Sequence, residues 1–205
     1  MNKRIPTAIT LAAVGMAVSL LGAACGTQTG SSGTANSEPI VKTEPAKAPS
    51  DRGDQVVTGG DLAFMNDAAP GGMAEVEMGR LAVKQAASSE VKQFAERMIA
   101  DHSKAGEELK QLASQKKVML PKEINPKHKE TMDKLSKLKG AEFDREYVKA
   151  MVEDHVKDVT AFESVAKGAV DQDVKAFATK TLPTLKEHLQ MIREIEGKMG
   201  GKAKP

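Results

Sequence analysis

Apolar residues recur every three or four positions from residue 59 onward, and no stretch alternates between apolar and polar residues as a strand would. The pattern predicts four long helices, at about 61–86, 89–116, 141–169 and from a cap near Asp171 to about 199. Ser89 is the expected N-cap of the second helix. Pro70 and Pro183 fall inside the first and fourth helices, where we expect a kink or bend. The predicted fold class is therefore all-α.

The lengths of the connections predict how these helices are joined. The first two helices and the last two are separated by only a few residues, which indicates two antiparallel hairpins. Residues 117–140 form a much longer connection, with a short amphipathic segment around 130–138. A helix of about 26 residues is roughly 40 Å long, and this connection can span that distance. Two hairpins joined by one long crossover between the second and third helices predict a ferritin-like four-helix bundle.

An internal repeat supports the pairing of the helices into hairpins. Residues 81–95 resemble residues 164–178 at an offset of 83 positions, and this offset aligns Glu75 with Asp158. The repeat predicts an approximate two-fold relationship between the two hairpins.

The N-terminus has the layout of a targeting segment. Lys3 and Arg4 precede twenty uncharged residues, 5–24, which end in small residues before Cys25. This pattern predicts a signal peptide over 1–24 rather than an uncleaved membrane anchor. The run before Cys25 resembles the lipobox of bacterial lipoproteins, although Gly22 stands where that motif usually has leucine. We therefore expect lipidation at Cys25 and location on the periplasmic side of the outer membrane, the alternative being a soluble secreted or periplasmic protein.

Composition divides the remainder into a tether and one folded domain. Residues 25–58 comprise Cys25 and a disordered tether rich in Gly, Ser, Thr and Pro, which cannot bury enough apolar surface to fold. The bundle is expected over 59–199, followed by a disordered tail at 200–205.

From Cys25 onward 28 basic side chains balance 28 acidic ones, which argues against nucleic-acid binding. The single cysteine excludes an intrachain disulfide.

Candidate metal ligands lie near the midpoints of the predicted helices. Helices of similar length, packed side by side, bring their midpoints to one level, where helical bundles place their metal sites. Asp158 joins this set because it shares a helix face with the histidine three residues before it. The predicted ligands are Glu75, His102, His155, Asp158 and His188. The alternative is a set of core histidines with carboxylate partners. Asp101 and Asp154 should point about 100° away from the histidines next to them, and His128 in the crossover should be exposed.

The residues near the histidines in sequence indicate which kinds of metal centre suit this site. The residues three positions before the helical histidines are Ile99, Val152 and Leu185, so the Glu-x-x-His motif of a di-iron site is absent. Met98, Met151 and Met191 each share a helix face with one histidine. Thioether and imidazole together suit copper, particularly Cu(I), but methionine is also an ordinary filler of helical cores. Iron, copper and zinc are therefore not distinguished.

Four stretches of the chain resemble a known family: 71–82, 91–102, 143–155 and 181–188. They are similar to the bacterial envelope family called domain of unknown function 4142, over about residues 61–195. The resemblance implies a ferritin-like fold in an exported bacterial protein and supplies no established reaction.

Together these features predict a non-enzymatic envelope lipoprotein. Its expected partners are the membrane, through the lipid anchor, and one transition-metal ion. The first alternative is a divergent metal-dependent oxidase or peroxide-handling enzyme that uses the same site. The second is a purely structural bundle in which the polar midplane only determines how the helices align.

Overall fold

Five α-helices account for nearly all of residues 57–201, the part of the chain that this computed structural model describes. They are α1 Gly59–Gln85, α2 Ser89–Gln115, α3 Pro126–Ser136, α4 Gly140–Gly168 and α5 Gln172–Gly201. The all-α class is confirmed, and the four long helices begin and end within a few residues of their predicted bounds. Pro70 and Pro183 both lie inside continuous helices.

The four long helices form a closed ring in which each contacts two others. The short 86–88 connection pairs α1 with α2, and the equally short 169–171 connection pairs α4 with α5. The two hairpins meet through contacts of α1 with α4 and of α2 with α5. The result is a helical bundle with its core enclosed by the ring.

The connection between α2 and α4 runs from one end of the bundle to the other. At the end of α2, the Lys116 ammonium lies 2.8 Å from the carboxylates of Asp171 and Asp173, next to the start of α5. At the start of α4, Gly140 forms an isolated backbone bridge to Ala86, at the opposite end of α2. Helix α3 lies within this connection and packs against α1 and α4. It begins earlier than the predicted 130–138 segment because Pro126 starts the helix and the Asn125 side chain caps it.

Two buried aspartates, Asp61 and Asp144, accept hydrogen bonds from the backbone of the short hairpin connections. Asp144, near the start of α4, accepts hydrogen bonds from Ala87 N (3.1 Å) and Ser88 N (2.9 Å) in the α1–α2 connection. The prediction of Ser89 as an N-cap is wrong: Ser88 is the N-cap residue, and its side chain makes no capping hydrogen bond. The backbone N–H groups at this turn are bound by a carboxylate from the other hairpin instead.

The core consists of two apolar clusters with a polar layer between them. One cluster lies towards the 86–88 turn and includes Phe94, Phe143 and Tyr147. The other lies towards the 169–171 turn and includes Phe64 and Phe162, whose rings meet edge to face at 4.8 Å. The buried polar side chains at mid-height belong to the candidate metal centre.

The predicted signal peptide, Cys25 and nearly all of the tether lie outside the described residues. Within residues 57–201, none of the helices is both long enough and apolar enough to cross a bilayer.

Candidate metal centre

Three histidine rings form a nearly equilateral triangle in the middle of the bundle. The ring centroids are 5.7 Å apart for His102 and His155, 5.4 Å for His102 and His188, and 5.5 Å for His155 and His188. All three side chains are buried. They converge because each occupies the inward face of a different helix at the same height, as the midpoint argument predicts.

One nitrogen of each ring is bound by a neighbouring acceptor. His102 Nδ1 lies 2.8 Å from Glu75 Oε2, and His188 Nε2 lies 2.8 Å from Asp101 Oδ2. His155 Nδ1 lies 3.0 Å from the carbonyl oxygen of Met151. A ring nitrogen that faces an ionised carboxylate or a carbonyl oxygen carries the proton and donates it.

The other nitrogen of each ring is unpartnered. His102 Nε2, His155 Nε2 and His188 Nδ1 are buried without a hydrogen-bond partner among the described residues. In a neutral imidazole whose first nitrogen donates a proton, the second carries a free lone pair. One nitrogen from each of the three rings lies within 4.8 Å of the other two. In metal-binding histidines, the ring nitrogen that does not bind the metal typically donates its N–H to a carboxylate or carbonyl oxygen in this way.

The protonation states also suit metal binding. Burial lowers the pKa of His102 to about 4, and burial lowers the pKa values of His155 and His188 as well. These rings are therefore neutral at pH 7 and need not lose a proton before they bind a cation. A metal with nitrogen ligands at about 2.1 Å in tetrahedral geometry separates them by about 3.4 Å, so small side-chain rotations would close the triangle on one ion.

Glu75 and Asp158 form a buried carboxyl pair beside the triangle. Glu75 Oε1 lies 3.5 Å from His155 Nδ1, so this residue faces two of the three histidines. Burial raises the pKa of Glu75 to about 7, and burial followed by the charge of Glu75 raises the pKa of Asp158 well above its usual range. The two carboxyl groups lie close enough that each shifts the pKa of the other. The structure thus brings all five predicted residues together, since the charges of both Glu75 and His102 act on Asp158.

Sequence reasoning missed two partners of this centre. Asp101 does point away from His102 but meets His188 on α5, because two neighbouring helices contribute to the same layer. Its carboxylate also accepts a hydrogen bond from Arg97 Nε at 3.2 Å. The hydrogen bonds from His188 and Arg97 outweigh its burial and lower its pKa. Tyr147 lies buried beside Glu75, whose charge adds to burial in raising the tyrosine pKa, and its hydroxyl has no partner among the described residues.

His128 is half-buried, so the expectation that it is exposed is wrong. Its Nε2 lies 3.5 Å from Asp154 Oδ2, which joins α3 to the middle of α4. The hydrogen bond to Asp154 raises the pKa of His128. Its position in a connecting segment gave no signal of this contact, since the partner lies 26 residues away on another helix.

The methionines lie near the histidines without a demonstrated role as ligands. Met98 and Met151 are fully buried in the apolar cluster towards the 86–88 turn. Met191 is half-buried, and its sulfur accepts a hydrogen bond from Arg97 at 3.7 Å. Packing accounts for all three positions.

A cleft of about 1050 Å³ reaches the centre from the side. Its walls come from α1, α2, α4, α5 and the connecting segment, and they are mostly apolar. Glu75, His102 and Asp158 line it, whereas His155 and His188 do not. The carboxyl pair therefore faces both the cleft and the histidine triangle.

The family model for the domain of unknown function DUF4142 matches residues 46–195. The chain belongs to this family. The match covers the whole histidine centre, and it confirms the resemblance seen in the four sequence stretches.

Solved structures with the same fold belong to other groups of proteins. A DUF305 fragment from Deinococcus radiodurans has a TM-score of 0.63 at 12% identity, covering 70% of this chain and 99% of that one. A DUF305 candidate secreted protein from Streptomyces coelicolor has a TM-score of 0.60 at 15% identity, covering 69% and 92%. CopM in its Cu(II)-bound form has a TM-score of 0.58 at 18% identity, covering 67% and 96%. No curated protein matches the chain.

Proposed function

We propose that this protein binds one transition-metal ion in the cell envelope, through His102, His155 and His188. The observation that carries the proposal is that three buried rings bring one nitrogen each to within 4.8 Å of the other two, while each ring keeps one nitrogen without a hydrogen-bond partner among the described residues. A buried polar atom without a partner is costly, and a metal ion would satisfy all three at once. Glu75 and Asp158, the two other predicted ligands, lie beside these histidines and outside the ligand set proposed here.

The surrounding charges favour a divalent ion. Asp101 contacts one ligand histidine and Glu75 contacts two, so in their ionised forms these carboxylates would offset the two positive charges of such an ion. Imidazole ligands suit copper, zinc and iron, and affinity for nitrogen sites peaks at Cu(II) along the first-row series. The Cu(II)-bound form of a protein with this fold makes copper the first metal to test.

The arrangement of the helices supports a ferritin-like four-helix bundle as the scaffold. The two hairpins, the long connection between α2 and α4 and the site at mid-height match that architecture. The site differs from a di-iron centre because histidines, rather than carboxylates, surround the central space. We therefore favour a binding module over an oxygen-activating enzyme.

The test is metal binding by the full-length chain without an affinity tag. We expect one Cu(II) ion per chain in equilibrium dialysis, with Zn(II) and Fe(II) as competitors. His102→Asn, His155→Asn and His188→Gln are designed to keep the nitrogen that donates and remove the one that binds metal. Each should weaken binding by at least about tenfold, since even the loss of an outer partner costs that much. His128→Gln is the matched control and should bind normally.

Each other result of this experiment decides against the proposal. Absence of bound metal after both aerobic and anaerobic purification would favour the purely structural bundle. Turnover of peroxide or oxygen by the metal-loaded protein, lost in the histidine variants, would establish the enzyme instead.

We further propose that residues 1–24 are removed as a signal peptide and that Cys25 anchors the protein by a lipid. Support comes from the sequence pattern and from a structural neighbour described as a candidate secreted protein. Mass spectrometry of the mature N-terminus should show diacylglycerol on Cys25. A Cys25→Ser chain should lack the lipid and leave the membrane fraction, and an unmodified cysteine in the wild-type protein would overturn the anchor.

A further inference from the structure

The cleft is lined by the three positions that the internal repeat pairs with the histidines of the triangle. At the repeat offset of 83 positions, Gly72 aligns with His155, Ala105 with His188 and Leu185 with His102. All three of these smaller or apolar residues line the cleft. The positions that the repeat pairs with the three histidines therefore carry glycine, alanine and leucine instead of imidazole rings, and the cleft lies along them.

The contacts of two aspartates show that residues paired by the sequence repeat also occupy equivalent positions in the structure. Asp61 aligns with Asp144, and the connection residues 87 and 88 align with 170 and 171. Both aspartates accept hydrogen bonds from the corresponding pair of backbone N–H groups. The alignment of the cleft with the histidine triangle therefore rests on equivalent contacts at both ends of the bundle.

The carboxyl pair stands at the boundary between the cleft and the triangle. Glu75 and Asp158 are equivalent under the same offset, and both line the cleft. Glu75 is 2% exposed, and its Oε1 atom has no hydrogen-bond partner among the described residues. A buried oxygen of this kind, facing a cleft on one side and histidines on the other, is positioned to accept a cation from the cleft.

On the α2–α5 side of the triangle, the charged side chains are paired with one another. Asp101 is attached to the triangle there through His188. The Arg97 guanidinium lies against it, held also by Glu187 at 2.6 Å. Asp101 Oδ2 already accepts hydrogen bonds from Arg97 and His188, so on this side of the triangle the carboxylate is occupied by these two partners.

We propose that the cleft is the entry route for the metal ion and that Glu75 and Asp158 form a transit site with oxygen ligands. This inference rests on the proposed function, because the ion must finally bind the histidines. The hydrated ion loses water to the carboxylate oxygens and then passes to the imidazole nitrogens, which bind transition metals more tightly. Asp158 then affects the rate at which the ion binds, whereas the three histidines determine the equilibrium affinity.

Two variants test the entry route separately from the final binding site. Gly106 lines the cleft, and a side chain there would extend into open space, so Gly106→Leu should obstruct the entry without strain. Gly197→Leu is the matched control, since Gly197 is an exposed helical glycine with equally open space and lies outside the cleft. Asp158→Asn removes a transit carboxylate and keeps the side-chain volume.

The measurement is the rate and equilibrium of Cu(II) binding to the full-length chain. Tyr147, the single tyrosine and buried beside Glu75, provides a fluorescence signal that Cu(II) should quench. We expect Gly106→Leu, which obstructs the cleft, and Asp158→Asn, which removes a carboxylate from it, each to slow association in stopped-flow mixing by about tenfold. The equilibrium affinity should stay within about threefold of wild type, and Gly197→Leu should behave as wild type.

The alternative results identify which idea fails. Tight wild-type binding with unchanged association rates in Gly106→Leu and Asp158→Asn would overturn the route and leave the histidine site standing. An equilibrium loss in Asp158→Asn as large as in His155→Asn would make Asp158 a ligand and also overturn the transit site. Absence of Cu(II) binding by the wild-type chain would overturn the proposed function together with this inference.

Discussion

Asp61 and Asp144 each bind two backbone N–H groups in the turn of the hairpin to which they do not belong. Asp144 binds Ala87 N and Ser88 N, and Asp61 Oδ2 binds Val170 N at 2.9 Å and Asp171 N at 2.7 Å. Each carboxylate thereby ties the start of one hairpin to the turn of the other. The two contacts lie at opposite ends of the bundle and hold the hairpins in the alignment that brings the histidines to one level.

Removing either carboxylate should destabilise the protein. We expect Asp61→Ala and Asp144→Ala each to lower the free energy of unfolding by about 1–2 kcal/mol, because each leaves two turn N–H groups without their acceptor. Urea unfolding followed by circular dichroism measures the change. Asp67→Ala, at an exposed position on α1, should change it by less than about 0.5 kcal/mol. The double variant should show additive losses because the sites are far apart. A combined loss more than about 1 kcal/mol below the sum of the two single losses would contradict two independent contacts.

Glu75→Gln should stabilise the metal-free protein at neutral pH. The folded-state pKa of Glu75 is about 7, above its ordinary value of 4.5, so the folded chain holds a proton that the unfolded chain releases. Stability from this group is therefore present at low pH and falls as pH rises from about 4.5 through 7. The variant should remove this fall, a gain of roughly 3 kcal/mol at most at pH 8. Urea unfolding from pH 5 to 8 in a chelator measures it.

His102→Asn should change the pH profile in the opposite direction. The folded-state pKa of His102 is about 4, below its ordinary value of 6.5, so the unfolded chain binds a proton that the folded chain excludes. Its contribution to stability is lost as pH falls from about 6.5 to 4, and the variant should weaken that loss. Equal pH slopes in the wild type, Glu75→Gln and His102→Asn would show that neither side chain is buried in the assigned state.

Asp101→Asn should weaken metal binding while leaving the fold intact. The carboxylate accepts the His188 Nε2 proton, which orients the ring and increases the basicity of Nδ1. We expect the Cu(II) affinity to fall by about 10–100-fold in a competition titration at pH 7. Glu187→Gln is the control, because Glu187 also pairs with Arg97 but touches no histidine. A similar affinity loss in both variants would assign the effect to the surface charges around Arg97.

Gly79→Ala should destabilise the contact between α1 and α2. An added Cβ at Gly79 would lie 3.0 Å from Ile99 Cγ1 and 3.2 Å from the carbonyl oxygen of Ala95. We expect a loss of about 1–3 kcal/mol, typical of overpacking a tight contact. Gly71→Ala meets nothing within 4 Å and should gain about 0.5–1 kcal/mol from helix propensity. Thermal unfolding of both variants tests this, and a gain at Gly79 would show that the helices separate readily.

The sequence by itself determined the helices, the short hairpin turns and the residues of the central layer. A 3.6-residue periodicity persists over 25 to 30 residues, which leaves little freedom in where an amphipathic helix lies. Helix midpoints then place Glu75, His102, His155 and His188 at one height without knowledge of any contact. The repeat at an offset of 83 positions also predicted the equivalence of Glu75 and Asp158.

Only the tertiary structure decided how these side chains pair. Asp101 meets His188, Asp144 meets the 86–88 turn and His128 meets Asp154, and each pair joins elements far apart in the chain. Such pairings depend on helix rotation and on the path of the crossover, which hydrophobic periodicity leaves unspecified. The free nitrogen of each histidine follows from these partners, because the acceptor on one side of the ring determines which nitrogen keeps its lone pair.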